Sequence, residues 1–198
     1  GRIFAYPAKK NWWSRSGTPD KMPVGEPGGP DSEVFYEFSD IEHDPAFGPV
    51  CHVNCDCGRF LEIGNSVFMQ FQKQTDGSFK ELPQRNIDFG GGLERILAAA
   101  NDTSDVFVND LHWPIIAAVE AISGHKYDDN RYAYQVIADH VKAAMFLLSD
   151  GVIPSNKAQG YVLRRVIRRA IGQGKKLGID KPFMVVAATA VQKMYAEI

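Results

Sequence analysis

Asn86-Ile87-Asp88-Phe89-Gly90-Gly91-Gly92-Leu93-Glu94-Arg95 is where the chain changes character. Before it, Gly, Pro and aromatic residues are dense and apolar residues alternate with polar ones. After it, apolar residues recur at helical spacing. Leu93, Ile96 and Leu97 stand at i, i+3 and i+4, with Ala98–Ala100 behind them, which predicts a helix opening directly after three glycines. Glycines let a ligand approach the backbone, and a helix N-terminus favours anions. Asp88 ahead of the glycines and Arg95 on the first helical turns add a carboxylate and a guanidinium. Turn chemistry is the plainer reading of glycines before a helix.

Working toward the N-terminus, Glu33–Phe38 reads as a short strand. Phe60–Ile63 reads as another, continued past Gly64-Asn65 by Ser66–Gln72, where Val67, Met69 and Phe71 share a face. Asp76-Gly77 predicts a hairpin turn, with Phe79–Leu82 returning. Toward the C-terminus, residues 105–122 read as helical but interrupted at Pro114. Residues 131–149 carry a stripe of Val136, Ile137, His140, Val141, Ala144, Met145 and Leu148. Ser155 or Asn156 is placed to cap a helix running to about Ile171, closed by Gly172 and Gly174. Residues 182–197 form a last apolar helix. The class is α+β, sheet first and helices after, dividing into residues 1–104 and 105–198.

The 198 residues are 44% hydrophobic and 23% charged, as in a globular protein with a core. A net charge of −2 gives no global attraction to nucleic acid, so any basic surface is local. No run approaches the roughly 20 apolar residues of a membrane span. The N-terminus resembles neither a signal nor a transit peptide. Three cysteines, all within Cys51–Cys57, make a poor disulfide framework and suit a reducing cytoplasm. With His43 and His52 nearby, Cys51, Cys55 and Cys57 could hold structural Zn²⁺, although Cys-x₃-Cys-x-Cys is not the usual spacing. The alternative is a loop of reduced thiols.

One helix concentrates charge. Lys157, Arg164, Arg165, Arg168, Arg169, Lys175 and Lys176 put seven positive charges in twenty residues, opposite Val162, Leu163, Val166, Ile167 and Ala170. A solvated face is the ordinary reading of such a run. In a weakly acidic chain, contact with phosphates becomes a second one.

Gly-x-Gly-Leu-Glu-Arg at a helix start resembles motif 3 of class II aminoacyl-tRNA synthetases. Several further segments resemble the alanyl-tRNA synthetase family in particular. They are Asn11-Trp12-Trp13, Gly29–Tyr36, Leu61–Phe71, Val136–His140, Asp150–Asn156 and Gly160–Arg169. The resemblance implies the antiparallel-sheet half of a class II core followed by a helical tRNA-recognition domain. It implies ATP, Mg²⁺ and alanine as ligands and the acceptor stem of tRNA-Ala as partner.

On the same resemblance, Asp88 holds the α-ammonium of alanine, and Val67 and Gly90 line a small side-chain pocket. Trp13 walls that pocket, Asn65 meets the substrate carboxylate, and Arg95 contacts the outer phosphates of ATP. Glu62 serves Mg²⁺ or orients a neighbour. Arg164, Arg165, Arg168 and Arg169 lie along the acceptor stem, and Asn156 reads its G·U wobble pair, an amide offering both donor and acceptor. The plainer readings are a turn-capping Asp88, a rim aromatic at Trp13, a solvent-facing Glu62 and an N-cap at Asn156.

The sequence departs from the family at Gly64, where a Trp is common, and at Gly28 and Asp31, where cysteines are usual. The resemblance also implies the family's motifs 1 and 2, which are not among residues 1–198. The expectation is a catalytic activity that needs the remainder of a synthetase. A stand-alone acceptor-stem binder is the competing expectation, and a metal-binding structural protein a third.

Overall fold

The computed structural model describes residues 2–196, which fall into two compact units, Gly1–Val106 and Phe107–Ile198. The first is built on a five-stranded antiparallel sheet: β1 (Trp13–Ser14), β2 (Pro27–Gly29), β3 (Asp31–Glu37), β4 (Phe60–Lys73) and β5 (Phe79–Gly91). β4 is central. β2 and β3 succeed one another along one of its edges, and β5 runs along the other.

The two apolar runs around Gly64-Asn65 are thus one strand. The Asp76-Gly77 turn forms as the sequence predicts, with Gly77 at φ +85° and the Asp76 carboxylate accepting from the Ser78 N–H at 2.9 Å. The return strand is much longer than Phe79–Leu82. Its register breaks between Glu81 and Asn86, a stretch holding Pro83, which has no N–H for a ladder. Helix α1 (Leu93–Ala100) follows and buries Ala98 and Ala99.

The second unit is helical: α2 (Trp113–Ser123), α3 (Arg131–Ser149), α4 (Ala158–Lys176) and α5 (Met184–Met194). Its core joins Ile115, Ile116, Val119, Tyr134, Ile137, Val141, Ala170, Phe183, Ala187 and Val191. Asn130 caps α3, its side chain accepting from the Ala133 N–H at 3.2 Å.

Four local expectations are corrected. Pro114 does not interrupt a helix but opens α2, where its missing N–H costs nothing. Neither Ser155 nor Asn156 caps α4; Lys157 holds that position without a side-chain cap bond. Gly172 and Gly174 do not end α4, which continues to Lys176. Gly174 is there for packing, because a Cβ would come within 2.3 Å of the Phe183 ring. Finally, Leu148 and Val162, assigned to apolar stripes, are exposed.

Candidate active site and basic helix

Three strands bring the sheet's site residues together. Across β3, β4 and β5, Asp31 pairs with Val67 and Val67 with Asp88. One rung along, Glu33 pairs with Asn65 and Asn65 with Gly90. Side chains two apart on a strand share a face, so these two rungs present one row of chemistry. An irregularity in register between Val34 and Phe35 resets the alternation of β4, and Glu62 joins the same cleft.

That cleft has a volume of about 620 Å³. Trp13, Glu62, Asn65, Val67, Asp88 and Gly90 all line it, so six of the seven residues assigned from the sequence to alanine, ATP or Mg²⁺ meet in one place. Gly90 leaves open space where a Cβ would stand. Arg95 is outside the lining but bound to it: its Nη1 donates to the Glu62 carboxylate at 3.2 Å and to the Glu62 carbonyl at 3.1 Å.

The sequence reading missed four residues that also line the cleft: Lys10, Trp12, Asp31 and Glu33. Trp12 stacks near Phe71 at 6.0 Å and meets Phe79 edge-on at 5.4 Å. Asn65 donates from Nδ2 to Asp31 Oδ2 at 3.1 Å. Burial, then the carboxylates of Glu62 and Asp31, push the Glu33 carboxyl above its ordinary value. Only the strand register could have found Asp31 and Glu33, since nothing in their local sequence marks them.

Buried polar groups normally have partners. Among the described residues, five buried side-chain atoms have none, and three of those belong to residues of this cleft: Trp12 Nε1, Asp31 Oδ1 and Asn65 Oδ1. One is a donor and two are acceptors. A zwitterion offers complementary groups, a carboxylate for the donor and an ammonium for the acceptors.

Gly64 also finds an explanation. A Cβ there would lie 3.1 Å from the Phe89 ring, so aromatic bulk over this position comes from β5.

A separate cluster lies in the connection between β3 and β4. The His43, Cys51, Cys55 and Cys57 ligand atoms all fall within 4.8 Å of one another. The thiols are free. The Cys57 thiol is drawn down to about 6, chiefly by hydrogen bonding to His43 and next to a backbone group of Arg59.

In the helical unit, Tyr161, Arg164, Arg165, Arg168 and Arg169 line a shallow groove of about 290 Å³ along α4. Arg164 and Arg165 lie 5.8 and 5.7 Å from the Tyr161 ring centroid. None of the four arginines forms an ion pair among the described residues. Asn156 is exposed in the bend just ahead of α4, and its amide is not used as a cap. Among the described residues no helix is long and apolar enough to cross a membrane.

Comparison with known proteins places these features in a family. The family model described as tRNA synthetases class II (A) matches residues 1–198. An alanine–tRNA ligase of Treponema denticola is 44% identical over 197 residues, covering 96% of this chain and 31% of the relative. One from Desulfosudis oleivorans is 43% identical over 202 residues, covering 99% and 22%. One from Anaeromyxobacter dehalogenans is 44% identical over 196 residues, covering 96% and 21%. The chain thus spans less than a third of the length of these relatives. With the sheet cleft, the motif at its edge and a match over its full length, the chain belongs to the class II tRNA synthetase family.

Proposed function

We propose that the cleft binds alanine and ATP and forms part of an alanine–tRNA ligase that makes alanyl-adenylate and transfers alanine to the 3′ end of tRNA-Ala. The observation that carries this reading is the trio of buried, unpartnered polar atoms on residues lining one small cleft, a donor and two acceptors matched to an amino-acid zwitterion. Asp88 supplies the anion for the α-ammonium, with Asp31 Oδ1 and Asn65 Oδ1 as further acceptors. The second amide hydrogen of Asn65 and the indole N–H of Trp12 serve the carboxylate. Val67, Gly90 and Trp13 bound a space suited to a methyl side chain.

The reaction asks for positioning rather than a protein nucleophile. A carboxylate oxygen of alanine attacks the α-phosphorus of ATP, and pyrophosphate leaves. Arg95 uses Nη1 on Glu62 and keeps Nε and Nη2 for phosphate oxygens. Glu62 and Glu33 fit a hard cation by donor type, since Mg²⁺ takes carboxylate oxygens. Bound there, Mg²⁺ would supply neutralisation of phosphate charge. A site that selects by a missing methylene discriminates by only about 1–3 kcal/mol.

The α4 arginines, free of carboxylate partners, support contact with the phosphates of a tRNA acceptor stem, with Asn156 reading its minor groove. The same observation favours the second reading, an acceptor-stem binder without catalysis. Three free cysteines suit a reducing cytoplasmic setting.

Titration of the chain with a non-hydrolysable alanyl-adenylate analogue separates the two readings. Asp88→Asn is expected to weaken binding by about tenfold or more, the loss of one charge-assisted hydrogen bond. Absence of analogue binding, with acceptor-stem RNA still bound and released by Arg165→Ala, Arg168→Ala, would favour the binding module.

A further inference from the structure

The connection from β3 to β4 is long and poorly furnished. Residues 38–59 contain a single 3-10 turn, Pro45–Phe47. Connections of this length without regular structure are uncommon in ordered domains and need some other tie. Apolar burial does not supply it. Of residues 39–59, all of them described, Cys55 alone is buried, and Phe47 and Val50 face solvent. What gathers the loop around Cys55 is a set of metal-ligating groups.

Their geometry is specific. A tetrahedral Zn²⁺ with Zn–S near 2.3 Å and Zn–N near 2.0–2.1 Å sets S···S edges of about 3.8 Å and N···S edges of about 3.5 Å. Cys51 Sγ lies 3.8 Å from Cys57 Sγ, and His43 Nδ1 lies 3.7 Å from Cys55 Sγ. No pair among the four exceeds 4.8 Å, so a small contraction closes the polyhedron. The imidazole is also held as metal-ligating histidines are. Its Nε2 lies 2.8 Å from the Gly48 carbonyl oxygen and donates to it, which turns the lone pair of Nδ1 toward the thiols. The other nearby imidazole is engaged elsewhere: His52 is exposed, with Nδ1 3.4 Å from the Tyr6 hydroxyl.

We propose that His43 Nδ1 and the sulfurs of Cys51, Cys55 and Cys57 bind one structural Zn²⁺, which serves as the core of the 39–59 loop. Four protein ligands leave no open position, so the ion takes no part in chemistry. Its reach is nevertheless wide. Val53 and Asn54, immediately before the ligand Cys55, form one wall of a cavity of about 490 Å³ whose other walls include residues 2–6 and β3. Asp31 and Glu33 border both that cavity and the alanine cleft. Fixing the loop therefore fixes the outer support of β3. The zinc site stands on its own geometry and survives or fails independently of which amino acid the cleft takes.

The test uses the full chain, purified without chelators from zinc-supplemented growth. Metal analysis is expected to give one zinc per chain. The three thiols are expected to resist a thiol reagent until a strong chelator is added, and then all to react. Replacement by Co²⁺ is expected to give the intense visible bands of a tetrahedral thiolate-rich site. His43→Ala and Cys57→Ser are each expected to weaken zinc binding by at least the roughly 10–100-fold that loss of an outer-sphere partner costs, while His52→Ala leaves it unchanged. A folded wild-type chain that takes up neither Zn²⁺ nor Co²⁺ overturns the proposal, as does a Co²⁺ spectrum of octahedral type. Immediate reaction of all three thiols with zinc present overturns it too. A His52→Ala loss matching that of His43→Ala overturns the ligand assignment. The cobalt spectrum of the wild-type chain needs no variant and stands even where a cysteine substitution fails to fold.

Discussion

The two units are of similar length yet hold themselves together differently. Among the described residues of the helical unit, eighteen apolar residues are buried, and most of them form one cluster. Among those of the sheet unit only six are: Met22, Phe38, Cys55, Val67, Ala98 and Ala99. Meanwhile Ile87 and Phe89 on β5 are 69% and 65% exposed, and Leu93 at the start of α1 is 64% exposed. Amphipathic helices bury their stripes against one another whatever else is near. An antiparallel sheet can leave one face to solvent and its outer strands with one free edge. Among the described residues β5 has a partner on one edge only. The unit with the thinner core is the one that gathers polar groups into a cleft.

That comparison predicts where substitutions hurt. The largest effect is expected from Leu163→Ala, which empties a site with no solvent exposure between packed helices. It should cost about 2–5 kcal/mol, read from the shift in urea midpoint of the helical circular dichroism signal. Gly174→Ala comes next. Its Cβ would enter the Phe183 ring, and overpacking of about 1–3 kcal/mol exceeds the roughly 1 kcal/mol that alanine gains in helix propensity. A Gly174→Ala chain more stable than the parent would show that α4 and the Phe183 segment are not tightly packed. Asn130→Ala removes the α3 cap and should cost about 1 kcal/mol in the same assay. The smallest effect belongs to the sheet unit: Ile87→Ser should fall within about 0.5 kcal/mol, as exposed positions do. An Ile87→Ser loss as large as that of Leu163→Ala would break the contrast, because it would mean β5 is covered in solution.

Much of the fold was legible because it is local. Alternation in Ser66–Gln72, the Asp76-Gly77 turn and the 3.6-residue spacing in residues 131–149 each depend on neighbours a few positions away. The same habit misled at the ends of α4. A glycine near a helix end suggests a C-cap, and only the Phe183 ring nine residues on from Gly174 reveals a packing role. From the sequence Pro114 reads as a break, because its place in the helix depends on where the preceding turns stop.

The candidate site was legible in part for a related reason. Asp88, Gly90 and Arg95 announce themselves within one motif, and Glu62, Asn65 and Val67 lie along one strand. Asp31, Glu33 and Trp12 do not, since their membership depends on pairing across more than thirty residues or on a loop folding back. For the metal cluster, the cysteines are plain in the sequence, but the choice of His43 over His52 is not.

By itself, then, the sequence determined the kinds of element, their order and the family the chain belongs to, because side-chain periodicity and short motifs are properties of neighbouring residues. The tertiary structure alone decided which side chains share a cleft, which polar atoms are buried without partners and which imidazole turns toward the thiols. Those outcomes rest on strand register and loop closure, where a one-residue slip reverses every side chain and no local pattern records the choice.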